Sequence, residues 1–262
     1  MTIMQPQSRA DRFTWLERAG DDFPYYRGRP VGISGRRWWI VMVAVAAAFF
    51  ALIFTQPVFR TGIAGFIPAV LFVVMPLAAL AFVAGSGWKA LFRSLRAADF
   101  GWMALFFVLN WVVTIIVGFL AVQFFDAQAN PAGQKVAAAS DIEQVLFFAK
   151  TAVQLFGEEL FTILPFLALL YWLAARHGMG RKMAVVLASI AVAAVFAAVH
   201  LPTYRWNVPH AFVALVPIRL VLLLPYIMTK NIWVSTGTHI LNDWAIFGLP
   251  LLIGGQASQG GG

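Results

Sequence analysis

Apolar runs of around twenty residues recur along this chain with almost no charge inside them, and they leave the backbone few options. Inside a bilayer every N–H and C=O of a spanning segment must be satisfied without water, which favours helices. The 262-residue chain is 61% hydrophobic and 11% charged, with a mean hydropathy of +0.80, more apolar surface than a soluble domain of this length could cover. The expected fold class is therefore all-α, a polytopic transmembrane helical bundle of about seven spans, with an eighth or re-entrant segment left open.

The spans read as Trp38–Phe54, Ile63–Val83, Trp102–Phe125, Ile142–Ala175, a fifth from Arg181-Lys182 to His200, Ala211–Met228 and Ile232–Ile253. Residues 86–98 put Lys89, Arg93 and Arg96 on one helical face and Trp88, Leu91, Phe92 and Leu95 on the other, the pattern of an interfacial amphipathic helix. Asp126 to Ser140 reads as a loop. The domain reading is an N-terminal extension over 1–35, N-terminal transmembrane helices over 36–140, a transmembrane core over 141–253 and a disordered glycine-rich tail over 254–262.

Lysine and arginine fall mostly in alternate connections. Seven precede the first span, three follow the second (Lys89, Arg93, Arg96) and three follow the fourth (Arg176, Arg181, Lys182). The other connections carry one each: Arg60, Lys135, Arg205 and Lys230. The N-terminus is thus expected in the cytosol of a multi-pass protein of the cell inner membrane, with no cleavable signal peptide. Membrane orientation accounts for the net charge of +8, and no nucleic acid partner is expected. With no cysteine, thiolate metal sites and a cysteine nucleophile are excluded.

The polar residues inside the apolar segments carry the functional signal. Glu158 and Glu159 lie mid-span in the fourth, where an ionised carboxylate costs several kcal/mol unless paired or hydrated. Adjacent helical residues point about 100° apart, so the two carboxylates are expected to do different work. His200 closes the fifth span, and His239 and Asp243 share one face of the seventh. A carboxylate at that spacing can orient an imidazole. Thr162 is expected to bond back within its own helix. His177 and His210 are expected at solvated loop edges, and Arg219 either snorkels or neutralises a glutamate.

These residues resemble the CAAX-protease and bacteriocin-processing (CPBP) family of intramembrane endopeptidases, related to the type II CAAX prenyl protease. The family pattern is Glu-Glu-x-x-x-Arg, then Phe-x-x-x-His, then His-x-x-x-Asn/Asp, each on its own helix. Here it reads Glu158 to Ile163, Phe196 to His200 and His239 to Asp243. Ile163 stands where the family has arginine, removing the usual charge partner of the second glutamate. Asp243 stands where the prenyl protease has asparagine and is better cast as orienting His239 or as a protonated acid.

The resemblance implies peptide-bond hydrolysis, with a membrane-associated protein or peptide as substrate and membrane lipids as surroundings. Under it Glu158 is the general base, His200 helps hold the water, His239 donates to the oxyanion, Asp243 orients His239 and Glu159 supports the site. Glu158, His200 and His239 could instead ligate zinc; a metal-free glutamate mechanism is equally open. A non-proteolytic scaffold or immunity-type protein and a proton-coupled transporter are the alternatives. One geometric obstacle stands out: His200 lies about 25 Å from the start of its helix, His239 about 12 Å from the start of its own. Straight helices starting level would keep them apart, unless Pro217 or Pro225 kinks the sixth span or the seventh starts displaced.

Overall fold

A computed structural model describes residues 11–125, 127 and 131–259. The helices are α1 (Gly35–Thr55), α2 (Phe66–Ala84), α3 (Ala97–Phe124), α4 (Pro131–Ala137), α5 (Asp141–Leu170), α6 (Arg181–Val199), α7 (Val208–Thr229) and α8 (Ile232–Gln259). A π-helical turn, Tyr171–Arg176, prolongs α5. No strand occurs among the described residues. Six helices, α1 to α3 and α5 to α7, are long and apolar enough to cross a membrane. The protein is an integral, multi-pass membrane protein. The seventh expected span, α8, is long enough but more polar, since its first turns carry Ser235, Thr236, Thr238, His239, Asn242 and Asp243.

Sequence and structure differ in several segments. The amphipathic helix expected over 86–98 is a 3-10 helix confined to Gly85–Leu91, followed by non-helical chain up to α3. The Asn231 side chain holds that chain open, accepting from the Arg93 N–H at 3.3 Å and donating to the Arg93 carbonyl at 3.0 Å. Helical hydrogen bonds of residue 93 are thereby replaced. The loop expected over Asp126–Ser140 contains α4, while residues 126 and 128–130 lie outside the described ones. The tail expected to be disordered from Gly254 begins as a continuation of α8 to Gln259, because glycine weakens a helix by only about 1 kcal/mol per residue. Residues 260–262 lie outside the described ones.

Residues 11–34 form a strap over the ends of α3, α6 and α7. Phe23, Tyr25, Tyr26 and Ile33 are buried in the main apolar core, and the Tyr25 hydroxyl donates to the carbonyls of Gly87 and Trp88. Beneath the strap, Thr229 to Ile232 are buried, so α8 starts inside the protein rather than at its surface. That recessed start lets His239, about 10 Å along α8, come within 4.0 Å of Glu158. Its consequence is a fully buried ammonium, Lys230, which the strap neutralises. Glu17 accepts from Lys230 Nζ at 2.7 Å and from both Arg181 terminal nitrogens at 2.6 and 2.5 Å. Arg18 pairs with buried Asp99 at the start of α3, Arg93 with Asp21 and Arg181 with Asp22. Residues 11–35, expected only as an extension, are thus structural.

Burial alone would raise the Glu17 carboxyl, but hydrogen bonds and charge from Arg181 and Lys230 outweigh it and hold the group at about 2 against its ordinary 4.5. Burial lowers Lys230 to about 8, with Glu17 opposing. A carboxyl depressed in the folded state stabilises it fully above the unfolded pKa, and the contribution is lost as pH falls toward the folded one. Thermal unfolding in detergent should therefore lose stability between roughly pH 4.5 and 2, with Glu17→Gln flattening that limb. At neutral pH Glu17→Ala should cost about 3–5 kcal/mol, because it strands two buried cations.

Candidate active site

The fourth-span glutamates sit on α5, whose start is fixed by a capping box between Ser140 and Glu143. Thr162 bonds back to the Glu158 carbonyl at 3.0 Å, as expected for a threonine inside a helix. Gly157 lets α2 come close: a Cβ there would lie 2.4 Å from Cδ1 of Phe72. Phe72 and Phe161 then stand beside Glu158 as part of a cavity wall.

Glu158 and Glu159 diverge as their 100° offset requires. The Glu159 side chain is fully buried, and its Oε1 lies 2.7 Å from Nη2 of fully buried Arg219 on α7 and 2.9 Å from Nδ1 of His239 on α8. One carboxylate therefore joins three helices. Arg219 does not snorkel; it supplies from α7 the cation that Ile163 fails to supply from α5. Its guanidinium also lies 4.9 Å from the ring of Phe196, the aromatic of the second motif.

Glu158 faces the other way. Its side chain is 14% exposed, Oε1 accepts from Gln154 Nε2 at 3.1 Å, and Oε2 lies 4.0 Å from His239 Nε2. Asp243 Oδ1 is 3.7 Å from that same nitrogen. The expectation that Asp243 orients His239 is thus met only by proximity: the hydrogen bond to the ring comes from Glu159, at Nδ1. Asp243 is itself held by Asn242, whose amide donates to it at 3.0 Å while accepting from Asn110 of α3 at 2.8 Å.

His200 caps α6 with its Nδ1 2.7 Å from the Phe196 carbonyl. A carbonyl can only accept, so Nδ1 carries a proton and neutral His200 presents Nε2 as an acceptor. Glu158 and His200 line one cavity of ≈ 230 Å³, between α1, α2, α5 and α6. The other two histidines fall apart from this centre. His177 is exposed against Trp172, as expected, whereas His210 is buried against Tyr204 in the first turn of α7 and not solvated.

The zinc ligand set does not assemble. Among the described residues no three His, Asp or Glu side chains are grouped to hold a metal ion. His239 Nδ1 is taken up by Glu159, with Arg219 Nη1 only 3.3 Å away, and a guanidinium beside the site repels a dication. These residues do not fit the ion.

Sequence reasoning missed Gln154, Asn242 and Asn110. Gln154 had a signal in its i, i+4 spacing to Glu158. Asn242 adjoins a motif residue, but Asn110 lies in an unremarkable span and had none.

Residues 142–245 match the family described as Rce1-like, type II CAAX prenyl endopeptidase Rce1-like. That segment contains all three motifs, in accord with the resemblance they carry to the CPBP family. No curated protein and no solved structure matches the chain.

Replacing Arg219 with leucine should cost about 3–5 kcal/mol, by stranding the Glu159 charge. Position 163 is one turn from Glu159 on the same face, so adding Ile163→Arg to Arg219→Leu should recover part of that loss in a detergent melting assay.

Proposed function

We infer that this protein, whose residues 142–245 carry the Rce1-like pattern, is an intramembrane endopeptidase that hydrolyses peptide bonds with a glutamate-activated water. The observation that carries the reading is that Glu158 faces both a shared cavity with His200 and the free ring nitrogen of His239. A membrane scaffold has no need of a half-buried carboxylate with no lysine or arginine partner among the described residues, set beside two imidazoles. The missing motif arginine no longer favours a scaffold either, since Arg219 takes its place. A transporter needs access from both faces, and packed aromatic and aliphatic side chains close the side under the strap.

In the proposed reaction a water sits between Glu158 and the acceptor Nε2 of His200. Glu158 takes a proton from it as the oxygen attacks the carbonyl carbon. His239, in its imidazolium form, donates Nε2–H to the oxyanion while Glu159 holds its Nδ1–H. Collapse of the tetrahedral intermediate breaks the C–N bond, and Glu158 passes its proton to the leaving amine. The products are an amine and a carboxylic acid, which gives up its remaining proton to solvent or to the amine. Arg219 and Asn242 act through their neighbours as positioning residues, and Gln154 aims Glu158.

The basic connections favour a cytosolic N-terminus in a cell inner membrane. The substrate is a membrane-associated protein or peptide, and the mechanism needs no metal.

Glu158→Gln should reduce cleavage by about 10²–10⁴-fold, with the melting temperature kept. Comparing membrane proteomes of cells carrying wild type, Glu158→Gln and His239→Ala reads this out: a substrate accumulates at full length in both mutants. Identical proteomes from folded mutants overturn the reading. A chelator that strips zinc should leave the cleavage rate unchanged.

A further inference from the structure

The strap and the cavity occupy opposite ends of the bundle, and this bears on what the enzyme cuts, given the peptidase reading above. The strap lies where α1 begins, α2 ends and α6 begins, together with the basic connections 89–96 and 176–182. The cavity lies where α1 ends (Leu52, Ile53), α2 begins (Phe72) and α6 ends (His200), with Pro202 and Thr203 from the connection beyond. Ile53 is about 3 Å along the axis from the end of α1, whereas His200 is about 28 Å from the start of α6. Among the described lysines and arginines, only Arg60, Lys135, Lys150 and Arg205 belong to this end.

Between cavity and strap the path is filled. Leu160, Ile163, Leu164, Phe166, Leu167 and Leu170 of α5 are all buried without measurable exposure, over about 15 Å of helix. Phe23 of the strap then seals this column, its ring 5.3 Å from that of Phe166 and 6.1 Å from that of Tyr226. A cytosolic tail would have to unpack it to reach Glu158.

The open flank is lateral. α1 packs mainly on α2 and α5, and α6 on α5 and α7, leaving the cavity between α1 and α6. The lining there includes Ile53, 43% exposed, and Phe50 and Val195, each next in sequence to a lining phenylalanine, are exposed at 54% and 52%. Glu158 and His200 are its only ionisable lining groups, set among Phe49, Phe72, Phe161 and Phe196. An apolar aromatic throat with one carboxylate at its floor accepts an extended uncharged backbone.

We propose that the site is loaded from the arginine-poor, extracytoplasmic half of the bilayer, through the gap between α1 and α6, by an extended apolar segment of a membrane-anchored polypeptide. The substrate class is thus membrane proteins exposed on the extracytoplasmic side, not soluble cytosolic chains carrying a C-terminal tail. Both the orientation and the mouth rest on named residues, and the two fail independently.

The chain has no cysteine, so single cysteines report accessibility without background. Thr203→Cys at the cavity and His177→Cys on the strap face are introduced separately. Right-side-out membrane vesicles are then treated with a membrane-impermeant maleimide, with labelling in detergent as the fold control. The expected result is labelling of Thr203→Cys in intact vesicles and of His177→Cys only after permeabilisation. The reverse pattern, or Thr203→Cys reactive only after permeabilisation, overturns the proposal. In the same cells, termini lost on Glu158→Gln should map to the extracytoplasmic half of their membrane proteins. Termini confined to cytosolic tails overturn the substrate class even if labelling is as expected. Absence of any such termini sinks the peptidase reading and the substrate with it, while the labelling still fixes the face to which the cavity opens.

Discussion

A carboxylate with no exposure at mid-membrane depth must have a cation, and the need of Glu159 for one organises this protein. Arg219 answers from α7 and His239 from α8, so one buried anion sets the depth and rotation of three helices relative to each other. Breaking such a pair leaves an uncompensated charge at a cost of about 3–5 kcal/mol, so the arrangement tolerates little slippage. The ring of His239 is fixed through Nδ1, and Nε2 is thereby aimed at Glu158. The neighbouring glutamate, rotated by about 100°, is left without a salt bridge to lysine or arginine among the described residues and is available for chemistry. One residue of the pair is structural, and the other is the one the proposed reaction uses.

A second polar cluster makes the first attainable. His239 lies only about 10 Å from the start of α8, too shallow to meet Glu158 unless α8 starts below the surface. The recessed α7–α8 turn achieves that, and it buries Lys230. Arg181 and Lys230 are neutralised there by Glu17 and Asp22, with the strap supplying both anions. The extension is therefore coupled to the active site by depth rather than by contact. It also seals one face, which makes the cavity one-sided.

Much of this was legible in the sequence because hydropathy and motif spacing are local signals. The helices fall within a few residues of the apolar runs, and the pairing of Glu158 with His239 follows from three motifs in order. What escaped depends on long-range partners. The basic amphipathic pattern over 86–98 was genuine, but Arg93 serves the Asp21 carboxylate and the Asp22 carbonyl, and Asn231 takes its backbone bonds. No spacing rule links Arg93 to a residue 71 positions earlier. Asp243 was cast as the partner of His239 by i, i+4 spacing, yet Glu159, from another helix, holds the hydrogen bond. The substitute for the arginine lost at Ile163 lay on α7, where sequence could offer only a choice of fates.

The central claim is that Glu159, Arg219 and His239 act as one buried unit that presents His239 to Glu158. A double-mutant cycle between Glu159→Gln and Arg219→Met, read as thermal stability of the purified protein, measures it most directly. The account predicts a coupling of about 2–3 kcal/mol, with the double mutant more stable than Arg219→Met alone. Additive losses, with no coupling, would contradict it.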